Sequence, residues 1–317
     1  MQRGDGTVDD VSALTSEMRA IDGYRIVLND LAGVISAHWQ GTIDHRDTDA
    51  LHDFRIALRR TRTVLRAARK VLPADILQTT GPTMARLAQL TGPPRDLDVY
   101  LSEWPAYTAS LTSAAEHLAP VHAQLAERAD RAHGALSEAM RSTDGVSSFE
   151  RWLSWLQSPS SDREAGSHAE LDLGRVVGQH IERAQHRLLE RGRRIRFDTP
   201  AEEVHDLRKD AKGLRYLCEC FGSLLDEEPR ALFVRRLKAL QEYLGALQDT
   251  EVHLADVRQI SAQLDRTNSV ATICAIAELE AHLNQRRVLA RVEFRERFGA
   301  YDTGVTRRLL AHAMVTL

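Results

Sequence analysis

Apolar positions return every three or four residues along nearly the whole chain. Examples are IVLNDLAGVISAHW (26–39), AAEHLAPVHAQLAERADRAHGALSEAM (114–140) and TICAIAELEAHLNQRRVLARVEF (272–294). That spacing places apolar side chains on one face of a helix. Strand-type alternation is absent and β-branched clusters are few. Breaks are expected at GTIDHRDTD, LPADILQTTGP, TGPPRD, STDGVSS, RFDTPAE and DEEPR, where Gly, Pro, Asp and Ser collect. An all-α protein follows, with roughly ten helices of ordinary length. Residues 157–169, QSPSSDREAGSHA, carry no apolar period and read as a linker.

The chain repeats itself across that linker. HDFRIALRRTR starts at His52 and HDLRKDAKGLR at His205, an offset of 205 − 52 = 153. GPPRDLDVYL starts at Gly92 and GALQDTEVHL at Gly245, and 245 − 92 is again 153. Two motifs sharing one offset indicate a duplicated unit. The expected organisation is a flexible N-terminus over 1–19, a first helical half over 20–157, a linker over 158–169 and a second helical half over 170–317. Pairing the halves about a pseudo-twofold axis would set equivalent helices face to face across a shared groove.

The repeated segments have a charged side. At about 100° per residue, His52, Arg55, Arg59, Arg62 and Arg66 form one stripe, with Phe54, Ala57, Leu58, Leu65, Ala68 and Leu72 opposite. In the copy, His205, Arg208, Lys212 and Arg215 form the stripe, with Tyr216 beside it and Leu207, Ala211, Leu214, Cys218, Phe221 and Leu225 opposite. Cations spaced by three and four residues lie roughly 4.5–6 Å apart along the axis and repel each other unless anions or acids face them. Glu219 falls on the second stripe, four residues from Arg215. Duplication explains shared core positions, but it does not by itself require shared exposed cations. The two stripes are therefore read as an anion-binding feature.

Other segments carry weaker versions of the pattern. His180, Arg183, Arg187, Arg191 and Arg194 follow the same spacing just before the second motif helix, whereas the equivalent first-half segment holds only Arg25 and His38. Arg235 and Lys238 share a face, and Arg86 lies near the equivalent place in the first half. Arg286, Arg287, Arg291 and Arg295 are mixed with Glu293 and Glu296 and read as an ordinary charged face. Gly92 and Gly245 are expected at the positive-φ position after a helix end. Asp96, Asp98, Asp249 and Glu251 are then first-turn acids favoured by the helix dipole, able also to hold neighbouring basic residues. Acids two residues apart point to different sides of a helix, which argues against a shared metal there.

Composition narrows the class. A net charge of −3 excludes a protein cationic over its whole surface, so any anion site must be a segregated patch. The 43% hydrophobic content supplies a core. Cys218, Cys220 and Cys274 fit neither a zinc spacing nor an even disulfide set and are expected as free thiols of a reducing compartment. The polar start MQRGDGTVDD lacks the apolar stretch of a signal peptide, and no uncharged run reaches membrane-helix length. A cytoplasmic protein is expected.

The paired motifs HDFRIALRRTR and HDLRKDAKGLRYLCECF, each followed by LTGPPRDLDVYL or LGALQDTEVHL, resemble the two halves of a CHAD domain, the conserved histidine α-helical domain. The resemblance spans roughly residues 20–315. It implies one compact all-helical fold of two pseudo-symmetric helical bundles with a central basic groove. It also implies binding of inorganic polyphosphate there, association with polyphosphate granules, and polyphosphate-metabolising enzymes as candidate partners. By position, His52, Arg55, Arg59, Arg62, His205, Arg208, Lys212 and Arg215 would line the groove, and Lys238 sits where the family places a basic residue. Arg66, Arg183 and Arg187 extend the candidate set through the stripe pattern. Gly213 stands where the first half has Arg60, and the two prolines of GPPRD depart from GALQD. The ExExK strand of the triphosphate-tunnel domains that some family members carry is absent from this sequence.

The chief alternative is a metal-dependent phosphohydrolase or phosphotransferase acting on polyphosphate or nucleotides. Such an enzyme needs metal-holding carboxylates or an activated nucleophile facing the stripe. The sequence shows no P-loop, and the adjacent residues of each His-Asp pair point about 100° apart. A nucleic-acid binder would want stacking aromatics, yet aromatics are 5% of the chain and only Tyr216 lies near a stripe. No cofactor and no catalytic residue are therefore assigned.

Overall fold

The structure is a computed structural model and describes residues 14–45, 48–113, 115–158, 165–263 and 269–317. Within these residues it is all-α, with a single isolated antiparallel bridge between Arg19 and Asp172 and no strand. The helices are α1 (Ala20–Asp44), α2 (Thr48–Ala67), α3 (Ala74–Leu90), α4 (Gly92–Ala109), α5 (Ala119–Arg141) and α6 (Thr143–Gln157). They are followed by α7 (Leu173–Arg194), α8 (Ala201–Cys220), α9 (Glu227–Gln263), α10 (Val270–Tyr301) and α11 (Gly304–Ala313). No described helix is long and apolar enough to cross a membrane.

The 153-residue offset recurs in the helix boundaries. α1 and α7 start at 20 and 173, α2 and α8 at 48 and 201, and α3 and α9 at 74 and 227. Some offset-related residues also touch. Arg19 bridges to Asp172, and Tyr100 stacks on His253 with ring centroids 3.8 Å apart. The apolar faces read from the sequence are inside: Phe54, Leu58, Leu207, Leu214 and Phe221 are all fully buried. α2 packs on α1, α3 and α8, while α8 packs on α7 and α9. This central core leaves the other faces of α2 and α8 free to form a cleft. A second core sits between α4, α5, α9 and α10, built on Tyr100, Leu125, Leu254 and Leu279.

Two expectations are corrected. Gly92 and Gly245 do not occupy a positive-φ position, since no described glycine does. In the second half no helix ends there: α9 runs unbroken for 37 residues through Gly245. In the first half only Thr91 separates α3 from α4. The reason is local. Pro93 and Pro94 lack the N–H groups that would continue α3, whereas Ala246 and Leu247 stand at the matching places in α9. Asp249 and Glu251 consequently lie mid-helix, and no acid falls in the first turn of α4, so the dipole role assigned to these acids is also withdrawn.

The expected flexible segment 1–19 lies outside the described residues as far as residue 13. Leu14 is buried, and Ser16 Oγ donates to the Thr316 carbonyl at 2.7 Å. The core of the expected linker, 159–164, is likewise outside the described residues. Just beyond it, Gly166 N–H donates to the Val71 carbonyl and His168 N–H to the Lys70 carbonyl, so the chain runs along the end of α2.

A mid-helix glycine of ordinary φ costs about 0.5–1 kcal/mol relative to alanine. A Cβ on Gly245 would meet Arg208 Nη2 at 3.5 Å, an ordinary contact. Gly245→Ala is therefore expected to raise the melting temperature by about 1–3 °C. A lowered melting temperature would contradict the continuous helix.

Candidate anion-binding cleft

A cleft of about 610 Å³ opens between α2 and α8. From α2 it is lined by His52, Arg55, Arg59, Arg62 and Arg66, and from α8 by His205, Arg208, Lys212 and Arg215. The two stripes thus confront one another. Each is carried by a helix whose opposite face is locked in the central core, so the cations are fixed by packing rather than by a ligand. Tyr216 forms part of the wall, with the Arg215 guanidinium 5.3 Å above its ring.

Acids reach only part of this charge. Asp96 lies 3.4 Å from Arg55, and Asp249, at the matching position, lies 3.7 Å from Arg208. Each of these arginines passes close to a glycine of the repeated motif. A Cβ on Gly92 would sit 3.3 Å from Arg55 Nη1, and the corresponding atom on Gly245 would approach Arg208. Gly92 thus leaves space that the Arg55 guanidinium uses, whereas a Cβ at Gly245 would make only ordinary contact with Arg208. The second acid of each motif faces away, as spacing by two requires: Asp98 meets His133 at 2.9 Å and Glu251 meets Arg291 at 2.9 Å. Those pairs tie α4 to α5 and α9 to α10. Arg291, read from the sequence as part of an ordinary charged face, is one of these ties. Glu219 joins Arg60 at 2.8 Å to Arg215 at 3.5 Å, linking the two helices. Among the described residues, Arg59, Arg62, Arg66 and Lys212 form no ion pair.

Crowding and burial act on protonation. Burial, with Arg59, Arg208 and Arg55 around it, pulls the Lys212 ammonium from 10.5 down to about 6. Burial and then Lys209 and Arg208 lower His205 as well. Arg55, Arg62 and Arg208 are lowered by burial and by their cationic neighbours, within a range where arginine keeps its proton. Asp249 is raised, by burial first, despite the opposing pull of Arg208. The cleft is a set of cations brought together by packing against their mutual repulsion.

Three candidates lie elsewhere. Arg183 and Arg187 are exposed on α7, and Lys238 is half-buried on α9; none lines the cleft. Arg86 and Arg235 do not line it either. The structure adds Arg95, Lys209 and Gln248 to the wall. The signal for these three was present, since all fall inside the repeated motifs. Arg95 and Gln248 even share the 153 offset, 248 − 95. His253 closes the floor, accepting or donating at Nδ1 to Tyr107 Oη at 2.8 Å, and burial lowers its pKa to about 4. Among the described residues, no cluster of three or more His, Cys, Asp or Glu side chains could hold a metal ion. The three cysteines are free thiols, and burial pushes Cys218 and Cys220 up to about 12.

The sequence matches the model of the CHAD domain over residues 27–258. The fold is similar to that of the CHAD domain from the plant Ricinus communis, with a TM-score of 0.76 at 19% identity over 95% of this chain and 98% of that one. It is also similar to PptA from Streptomyces chartreusis, with a TM-score of 0.70 at 18% identity over 89% of this chain and all of that one (100%). No curated protein matches the sequence at a significant level.

Lys212 tests the electrostatic picture without a ligand. Its folded value, about 6, lies below its ordinary 10.5, so the unfolded chain holds the proton more tightly across that interval. Keeping this group buried therefore costs stability, and the cost grows as pH falls from 10.5 toward 6. Lys212→Met is expected to raise the melting temperature by about 2 °C or more near neutral pH. It should also flatten the rise in melting temperature that wild type shows between pH 6.5 and 8.5. Identical pH profiles for the two proteins would contradict the crowding.

Proposed function

From the premise that this chain belongs to the CHAD family, we propose that the α2–α8 cleft binds inorganic polyphosphate and that the protein is a non-catalytic binding module. The observation that carries this reading is the confrontation of two offset-related rows of cations, four of whose members lack an ion-pair partner among the described residues. Polyphosphate is a linear polyanion with charged oxygens at every link and no base or side chain to read. Rows of guanidinium groups on rigid helices answer that chemistry with charge-assisted, bidentate hydrogen bonds. Because the helices hold the groups in advance, little ordering cost remains for the ligand to meet.

The cleft carboxylates favour binding over hydrolysis. Asp96 and Asp249 both face the cleft but lie against Arg55 and Arg208, whose cationic guanidinium groups work against a metal ion there. Stacking groups are few, Tyr216 apart, which favours a bare phosphate chain over a nucleic acid. On this reading the two halves are related by an approximate two-fold axis through the cleft. The protein would act as an adaptor that brings itself, or polyphosphate-metabolising partners, to polyphosphate granules. Incubation with polyphosphate and Mg²⁺ or Mn²⁺ should release no phosphate above background.

Titration of long-chain polyphosphate into wild type and Arg59→Glu/Lys212→Glu at moderate salt tests the site. Loss of two charge-assisted contacts predicts an affinity lower by about a hundredfold. Unchanged binding would move the site elsewhere.

The affinity should also depend on pH. Lys212, near 6, and the lowered His205 both gain from a neighbouring anion, which raises their pKa values. Binding therefore takes up protons, and polyphosphate should bind several-fold more tightly at pH 6 than at pH 8. Equal affinity at the two values would remove these groups from the account.

A further inference from the structure

The duplicated stripes are not equivalent at their ends. Arg66 and Glu219 occupy matching positions, 219 − 66 = 153, and so do Arg60 and Gly213, 213 − 60 = 153. On one side Arg60 and Glu219 form a 2.8 Å ion pair, and Glu219 also neutralises Arg215. On the other side the same two positions hold Arg66 and Gly213. Arg66 is exposed and, among the described residues, forms no ion pair; Gly213 has no side chain. A Cβ built on Gly213 meets nothing within 4 Å, so the wall is open there.

Beyond that opening the surface stays cationic. Lys70 is exposed one helical turn past Arg66. Lys70, Arg183, Arg187 and His168 all lie close enough to His180 to act on its charge; together with burial they lower its pKa to about 4. Arg183 and Arg187 are exposed one turn apart on α7, and Arg183 donates a 3.3 Å hydrogen bond to Gln179 within its own helix. The matching positions on α1 are Val27, Asp30 and Val34 for His180, Arg183 and Arg187. Two are apolar and one is an acid, so no equivalent track exists on the other side.

We propose that the cleft is one-ended: a bound polyanion leaves it past Arg66 and Gly213 and continues onto a second anion site formed by Lys70, Arg183 and Arg187. The Arg60–Glu219 ion pair closes the equivalent way out. This inference rests on the polyphosphate reading and adds a direction to it. A short chain fills the cleft alone, whereas a long chain engages both sites. Chain-length preference is then set by α7, outside the duplicated motif helices.

The experiment compares long-chain polyphosphate with tripolyphosphate on wild type, on Arg183→Glu/Arg187→Glu, and on Arg151→Glu/Arg295→Glu as an exposed control with the same charge change. The α7 variant should bind long chains about tenfold more weakly, with a log–log salt slope shallower by about 1.4 for two lost phosphate contacts. Its affinity for tripolyphosphate should match that of the control. Long-chain affinity equal to the control's would overturn the second site, as would an equal loss for both ligands. Should the charge reversal disturb folding, Arg183→Gln/Arg187→Gln is read by the same criteria. Wild type that binds neither ligand would instead overturn the parent reading.

Discussion

Mutual repulsion among a few half-buried cations is the constraint around which this molecule is built. Arg55, Arg59, Arg208 and Lys212 converge from two helices, and nothing inside the cleft cancels all of their charge. Exposed chains would splay such groups apart. Here they stay together because the other faces of α2 and α8 bury Phe54, Leu58, Leu207 and Leu214 in the central core. Hydrophobic burial thus supplies the energy that holds an unfavourable charge arrangement in place. The penalty shows in the depressed Lys212, and a partial remedy shows in Asp96 and Asp249, each paired with one arginine, while Arg59, Arg62, Arg66 and Lys212 form no ion pair among the described residues.

Much of this was legible in the sequence because two periodicities coincide. Helical spacing gives a cationic stripe, and the offset of 153 gives it twice. Spacing alone also separated the two acids of each motif, and Asp96 and Asp249 face the cleft while Asp98 and Glu251 face other helices. The glycines were misread for a physical reason. A glycine beside a turn-like segment and a glycine beneath a guanidinium leave the same mark on a sequence. Only the neighbours decide, and in the second half Ala246 and Leu247 let the helix continue.

Other features depend on which helix lies beside which, and helical periodicity carries no such information. It marked Arg183 and Arg187 as one face of α7 but not that both are exposed and outside the lining of the cleft. The second core, where α4 and α5 meet the distal parts of α9 and α10, was equally invisible, since no local pattern names a distant partner. Arg95 and Lys209 sit inside quoted motifs, yet became visible as wall residues only when α2 and α8 were placed together. The asymmetry between the Arg60–Glu219 pair and the Arg66–Gly213 opening is a further consequence of that placement.

Calorimetry of polyphosphate binding at pH 7.5, in buffers of different ionisation enthalpy, reads the central claim most directly. Burial first, and then the neighbouring cations, hold Lys212 and His205 below their ordinary values, so an anion seated beside them must draw protons onto them. The account predicts net proton uptake on binding, markedly reduced in Lys212→Met, with His205 supplying what remains. Binding with no proton exchange would show that the cleft is not electrostatically crowded, and would contradict the account.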